Sequence, residues 1–170
     1  MTESFDKLAG RIEGAEDGYN RNMKCRLYKV DEGLLALTRF VDKFHNFTMA
    51  MILRKSDLTI GEASVKMDKV PYEICRETMN GIGNLRGLLA FHPAVVREVR
   101  RRIKRKEGCT HLFEMIEFTL QSLFSGSQPA GLADGPAVDS IRELPPEEHR
   151  KLHATIQRFK NTCRAFASED

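Results

Sequence analysis

Apolar and polar residues alternate with a period of two between residues 22 and 67, and after Pro71 the period lengthens to that of a helix. "NMKCRLYKV" (22–30) sets Cys25 and Leu27 on one side. "DEG" (31–33) is turn chemistry, so "LLALTRFV" (34–41) is expected to return as the second strand of a hairpin. "HNFTMAMIL" (45–53) places Phe47, Met49, Met51 and Leu53 on one face, and His45 shares that parity. After a turn at "KSD" (55–57), "TIGEASVKM" (59–67) opposes Ala63, Val65 and Met67 to Glu62, Ser64 and Lys66. Four short strands with tight turns predict an antiparallel meander with one face to be covered. Met23, Met49, Met51 and Met67 belong to the core of such a sheet, not to a metal box.

Helical spacing takes over at "VPYEICRETMNGIGNLRGLL". Pro71 suits a helix start. Ile74, Cys75, Met79, Ile82, Leu85 and Leu89 fall roughly on one stripe, which Gly81 and Gly83 weaken. A second helix restarts at Pro93, with Val96, Val99 and Ile103 as its spine, and Gly108 breaks it. The strongest helix covers 109–124, with Leu112, Ile116, Leu120 and Leu123 on one side. Strands first and helices afterwards predict an α+β fold, a four-stranded antiparallel meander with helices packed on one face.

Composition divides the chain further. Residues 1–20 read as a leader and 21–124 as the α+β core. Residues 125–144 read as a flexible linker, because "SGSQPAGLADGPA" is rich in Gly, Pro, Ser and Ala. Residues 145–170 read as a C-terminal helix packing on the core, opened by Pro145 and Pro146, with a stripe through Leu152, Ile156, Phe159, Cys163 and Phe166.

The 170 residues are 41% hydrophobic and 30% charged, enough to bury a core without disulfides. Four scattered cysteines are too sparse for a secreted disulfide framework. The N-terminal stretch is polar and has no apolar signal core, and no run has membrane-spanning length, so a cytoplasmic protein without a membrane is expected. The formal charge of +3 does not demand nucleic acid, and no glycine loop is suited to cradling phosphate.

Candidate chemistry gathers at "KRKEGCTHLFEMIEF". Cys109 follows Gly108 and opens a helix, where unsatisfied N–H groups and the helix dipole favour a thiolate. Positions i and i+2 of a regular helix point about 200° apart. Cys109 and His111 therefore meet only if Cys109 sits at or before the cap. The competing reading makes Cys109 a small buried hydrophobe. Gly108 is expected to bend the chain through backbone freedom, turning both groups toward the first turn of the Cys75 segment. Cys75 and Cys163 lie on apolar stripes, where packing and liganding compete, and His45 lies on the sheet's apolar parity.

A basic run, Arg97, Arg100, Arg101, Arg102, Lys104, Arg105 and Lys106, precedes the motif. It is either a solvated helix face or an anion platform centred on Arg97, Arg101 and Arg105. No aromatic residues interleave with it, which argues against single-stranded nucleic acid as the partner.

The elements "PYEIC", "LRGL", "GCTHLFEM" and "NTCRAF" resemble those of a bacterial family known only as a domain of unknown function, across about residues 20 to 166. Its specific element is Gly-Cys-Thr-His-Leu, here Gly108 to Leu112. The resemblance implies that Cys75, Cys109, His111, Cys163 and His45 are the recurring polar positions, while Cys25 is not. It implies no activity. The strand-then-helix order is also similar to NifU-type iron–sulfur scaffold proteins, with no matching local motif.

Three functions follow as expectations. The first is a small metal- or sulfur-handling accessory protein, with zinc or an iron–sulfur cluster held by Cys75, Cys109 and His111, helped by Cys163 or His45; a thiolate-rich set with imidazole suits such metals. The second is an enzyme or binding protein for an anionic acyl or coenzyme-A-like ligand, with Cys109 as nucleophile and the basic helix for phosphates. The third is a non-catalytic partner-binding module; the partners considered are an acidic protein or an anionic small molecule.

Overall fold

The computed structural model describes residues 2–104 and 108–127, together with 145, 147 and 148. The elements run α1 (Thr2–Ala9), a 3₁₀ turn (Gly10–Ile12), β1 (Arg21–Val30), β2 (Gly33–Asp42), β3 (Asn46–Arg54), β4 (Ile60–Lys69), a 3₁₀ segment (Glu73–Leu85), α2 (Val95–Arg102) and α3 (Thr110–Ser127). The four strands form one antiparallel sheet in the order β1-β2-β3-β4, as the alternation predicts. Apart from residues 145, 147 and 148, the expected C-terminal helix over 145–170, with Cys163 within it, and most of the expected linker lie outside the described residues.

Turn chemistry fixes the sheet's register. Asp31 and Glu32 join β1 to β2, so that Val30 pairs with Gly33. Gly33 has φ +152°, and a Cβ there would stand 2.0 Å from the Leu53 carbonyl oxygen of β3. Only a residue without a side chain lets the third strand approach this closely. The resulting inner face carries Leu34, Ala36, Phe40, Phe47, Met49, Met51, Leu53 and Met67, all buried.

Helix α3 covers that face. It buries Leu112, Met115, Ile116, Leu120 and Leu123, and each such side chain contributes about 1.5–3 kcal/mol. A buried polar contact locks its rotation: the Thr38 and Thr119 hydroxyls lie 2.6 Å apart. Thr119 donates its single proton to the Met115 carbonyl at 2.7 Å, so Thr38 is the donor between the two hydroxyls. Residues 125–127, expected to be linker, extend α3 instead. Gly126 explains this. A Cβ there would lie 2.0 Å from Cδ1 of Leu27 on β1, so the glycine is a packing residue where helix and strand touch.

The expected helix after Pro71 is a run of tight 3₁₀ turns. Gly81 and Gly83 lower α-helical propensity. The segment's buried residues, Ile82 and Leu85, are three apart, the spacing that lies on one side of a 3₁₀ helix. The basic stretch forms α2 over Val95–Arg102 and buries Val99, with Ile103 just beyond it. No helix among the described residues is long and apolar enough to cross a membrane.

Candidate metal centre

The β2–β3 hairpin ends in an Asp-centred turn. Asp42 Oδ1 accepts the backbone N–H groups of Phe44 and His45, each at 2.7 Å, and the Asp42 N–H donates to the His45 carbonyl at 3.1 Å. Such side-chain-to-backbone bonds are what Asp supplies in turns. They hold the imidazole of His45 over the same carboxylate, with Nδ1 2.8 Å from Oδ1 and 3.0 Å from Oδ2. This pair is sealed from water: the side chain of Asp42 is fully buried and that of His45 is 7% exposed. His45 therefore belongs to the turn, and β3 begins one residue later, at Asn46, because the turn's hydrogen bonds claim its backbone.

Tyr19, in the segment leading into β1, donates its hydroxyl to Asp42 Oδ2 at 2.5 Å. Burial pushes the Asp42 carboxyl pKa up, but hydrogen bonds from Tyr19, Phe44 and His45 outweigh it and hold the group well below its ordinary value. Bonding to the same carboxylate raises the Tyr19 pKa. An ionised Asp42 can only accept, so the proton between the two residues sits on Nδ1 of His45. That leaves Nε2 as the ring nitrogen not engaged by Asp42.

The other half of the site comes from the start of α3. The Cys109 carbonyl accepts the Phe113 N–H at 3.0 Å, which makes Cys109 the N-cap residue. Off the regular helix, its sulfur escapes the 200° separation and lies 3.7 Å from Nδ1 of His111. Gly108 contributes space: its φ is not in the left-handed region, but a Cβ would meet Phe113 at 3.0 Å and Ile103 at 3.2 Å. The backbone freedom expected of it is not used.

His111 faces the hairpin. Its ring centroid is 4.1 Å from that of His45 and 5.5 Å from that of Phe40. Phe47 closes His45 from another side, edge-on at 5.2 Å. Desolvation is the main reason that the His111 pKa lies below its ordinary value; His45 and Arg21 push the same way and Asp42 opposes them. Arg21 lies over the Phe40 ring at 4.7 Å and pairs with Glu114 of α3.

One ligand atom each from Asp42, His45 and His111 can be chosen so that all lie within 4.8 Å of one another. Zinc–sulfur and zinc–nitrogen bonds of ordinary length, at a tetrahedral angle, separate S and N by about 3.5 Å. The Cys109–His111 distance of 3.7 Å is close to that value.

Of the residues singled out by sequence, His45 and His111 come together with Asp42, while Cys109 touches His111 and is not part of that grouping. Cys75 is half-buried in the 3₁₀ segment, and its carbonyl accepts the Thr78 hydroxyl at 2.6 Å; it is not part of the grouping. Cys25 is a half-buried free thiol on β1. In the basic helix, Arg101 pairs with Glu98, Arg100 with Glu117, and Arg102 donates to the Asn84 and Arg86 carbonyls. Arg97 lies on the same helix, whereas Arg105 is outside the described residues. Sequence reasoning missed Asp42 and Tyr19. The available signal was an Asp three residues before a His in the "VDKFHN" turn.

A family profile described as a protein of unknown function, DUF2889, matches residues 19–123. No curated protein matches the chain. No solved structure matches it either.

Proposed function

The chain belongs to the DUF2889 family of proteins of unknown function, and on that premise we propose that it is a metal-handling accessory protein that binds zinc. The observation that carries the reading is the grouping of Asp42, His45 and His111 beside the Cys109 sulfur. His45 Nε2 and a His111 ring nitrogen are the proposed ligands from the grouping, and Cys109 Sγ, outside it but in contact with His111, would close onto the same ion. Asp42 stands behind His45 as the carboxylate that orients a ligating imidazole, an arrangement recurrent in zinc sites. Two imidazoles and one thiolate suit zinc better than an iron–sulfur cluster, which is generally held by several thiolates. Three protein ligands leave a fourth position open for water, substrate or a ligand from a receiving protein. Cys109 and His111 are only half-buried, which gives that position a route to solvent.

The test is competition with a chromophoric chelator for zinc, using the full chain. The wild type should bind one zinc per chain, and His45→Ala and His111→Ala should each reduce the affinity by at least about tenfold. Absence of stoichiometric binding, or unchanged affinity in both variants, contradicts the proposal.

A second reading is favoured by one contact, Cys109 Sγ against His111 Nδ1. A thiol at a helix N-cap beside an imidazole is the arrangement of an activated nucleophile. Under this reading, metal-free protein alkylated with iodoacetamide should lose Cys109 much faster than Cys25, and His111→Ala should abolish the difference. Equal rates at the two cysteines would leave zinc ligation as the role of the thiol.

A further inference from the structure

The sheet's second face carries a different chemistry. With α3 on the inner face, alternation sends Lys24, Arg26 and Tyr28 of β1 outward, together with Leu37, Arg39 and Val41 of β2, and these line one shallow groove. Lys24 pairs directly with Arg39 across the two strands, and Arg26 pairs with Leu37. Arg39 in turn faces Thr48 of β3, which faces Lys66 of β4. Cations therefore stand side by side on β1 and β2, about 4.8 Å apart, and recur on β4 beyond Thr48. Like charges directly opposite one another are unfavourable in a sheet. None of the described carboxylates relieves this pair. Asp68, on the β4 side of the groove, pairs with Lys66 at 2.7 Å, and Lys24, Arg26 and Arg39 form no ion pair among the described residues.

We propose that the β1–β2 half of this open face, centred on Lys24, Arg26 and Arg39, docks an acidic segment of a protein partner. Charge complementarity identifies the occupant: three cations without an ion pair among the described residues, on strands whose outward positions hold no acid. Leu37, at 38% exposure, and Tyr28, at 43%, lie among them and offer apolar contact to a polypeptide between its carboxylates. The face is an open sheet and not an enclosed pocket, which disfavours a small ligand. Tyr28 is the one aromatic lining the groove, whereas single-stranded nucleic acid is held by several stacking platforms. The surface is distinct from the metal centre, because the inner-face positions Met23 and Cys25 alternate with Lys24 and Arg26 along the same strand.

Fluorescence anisotropy of labelled octaglutamate with the full chain tests the proposal, with an oligothymidylate of equal charge as the second probe. Octaglutamate should bind at low salt and weaken as salt rises. Lys24→Glu combined with Arg39→Glu should weaken it by at least about tenfold, equivalent to 1.4 kcal/mol. Arg39→Glu alone replaces a like-charge pair with an opposite one, so its melting temperature should not fall. If the double reversal does not fold, Lys24→Gln with Arg39→Gln carries the same test. Four results overturn the proposal: no octaglutamate binding at low salt, binding unchanged by these substitutions, binding lost instead on reversal of Arg97 and Arg101, or tighter binding of the oligothymidylate through the same residues.

Discussion

Nδ1 of His45 lies 2.8 Å from Oδ1 of Asp42, inside a turn that the same oxygen closes through two backbone N–H groups. One carboxylate therefore shapes the hairpin and accepts the Nδ1–H of the imidazole beside it. If Asp42 acts from behind His45, Asp42→Asn should keep the turn, since an amide oxygen still accepts those N–H groups, while losing the charge. Zinc affinity should fall about tenfold, the lower end of the usual effect of such partners. Chelator competition reads this directly. Unchanged affinity would remove Asp42 from the site's function, and total loss would make it a direct ligand.

Acid should destabilise the metal-free protein in two stages. The His111 pKa is depressed below its ordinary 6.5, mainly by desolvation. Between its folded value and 6.5 the unfolded chain holds a proton that the folded chain lacks, so stability is full above about pH 6.5 and declines below it. The Asp42 pKa is depressed below its ordinary 3.8, which adds a second decline as pH falls below about 4. Urea unfolding in the presence of chelator should show a lower midpoint at pH 5 than at pH 7, and His111→Gln should flatten that interval. A midpoint that rises on acidification would contradict the account.

Gly126 is an architectural residue. Gly126→Ala must push the end of the half-buried Leu27 side chain aside. Ala favours a helix over Gly by about 1 kcal/mol, which offsets part of that cost, so a net loss of at most about 2 kcal/mol is expected. Leu27→Ala in the same chain should recover part of the loss, because it opens the space that the new methyl needs. Chemical denaturation of the single and double variants measures both effects. Full stability in Gly126→Ala would mean that α3 can shift away from β1 without net cost.

Much of this fold is legible in the sequence because its signals are local. The alternation of Phe47, Met49, Met51 and Leu53 specifies a strand and its buried face without reference to the rest of the chain. The same holds for Leu112 to Leu123 in α3. Gly126 misleads because "SGS" reads as linker, whereas its reason for being glycine lies 99 residues away, in Leu27 of β1. The site divides in the same way. Cys109 and His111 are legible because a cap is a local event. Asp42 is not, because its partners are a tyrosine 23 residues earlier and turn atoms that converge only once the hairpin closes. In the basic run Glu98, visible in the sequence, pairs with Arg101, whereas Glu117, which pairs with Arg100, comes from α3 and is visible only in the fold.

The most direct test of zinc ligation is X-ray absorption at the zinc edge of the loaded full chain. The account predicts one sulfur at about 2.3 Å and two imidazole nitrogens at about 2.0–2.1 Å, with a light fourth ligand. In Cys109→Ser the sulfur shell should vanish while the imidazole signature remains. A shell of oxygens alone, or a sulfur shell that survives Cys109→Ser, would contradict the assignment of Cys109, His111 and His45 as the ligands.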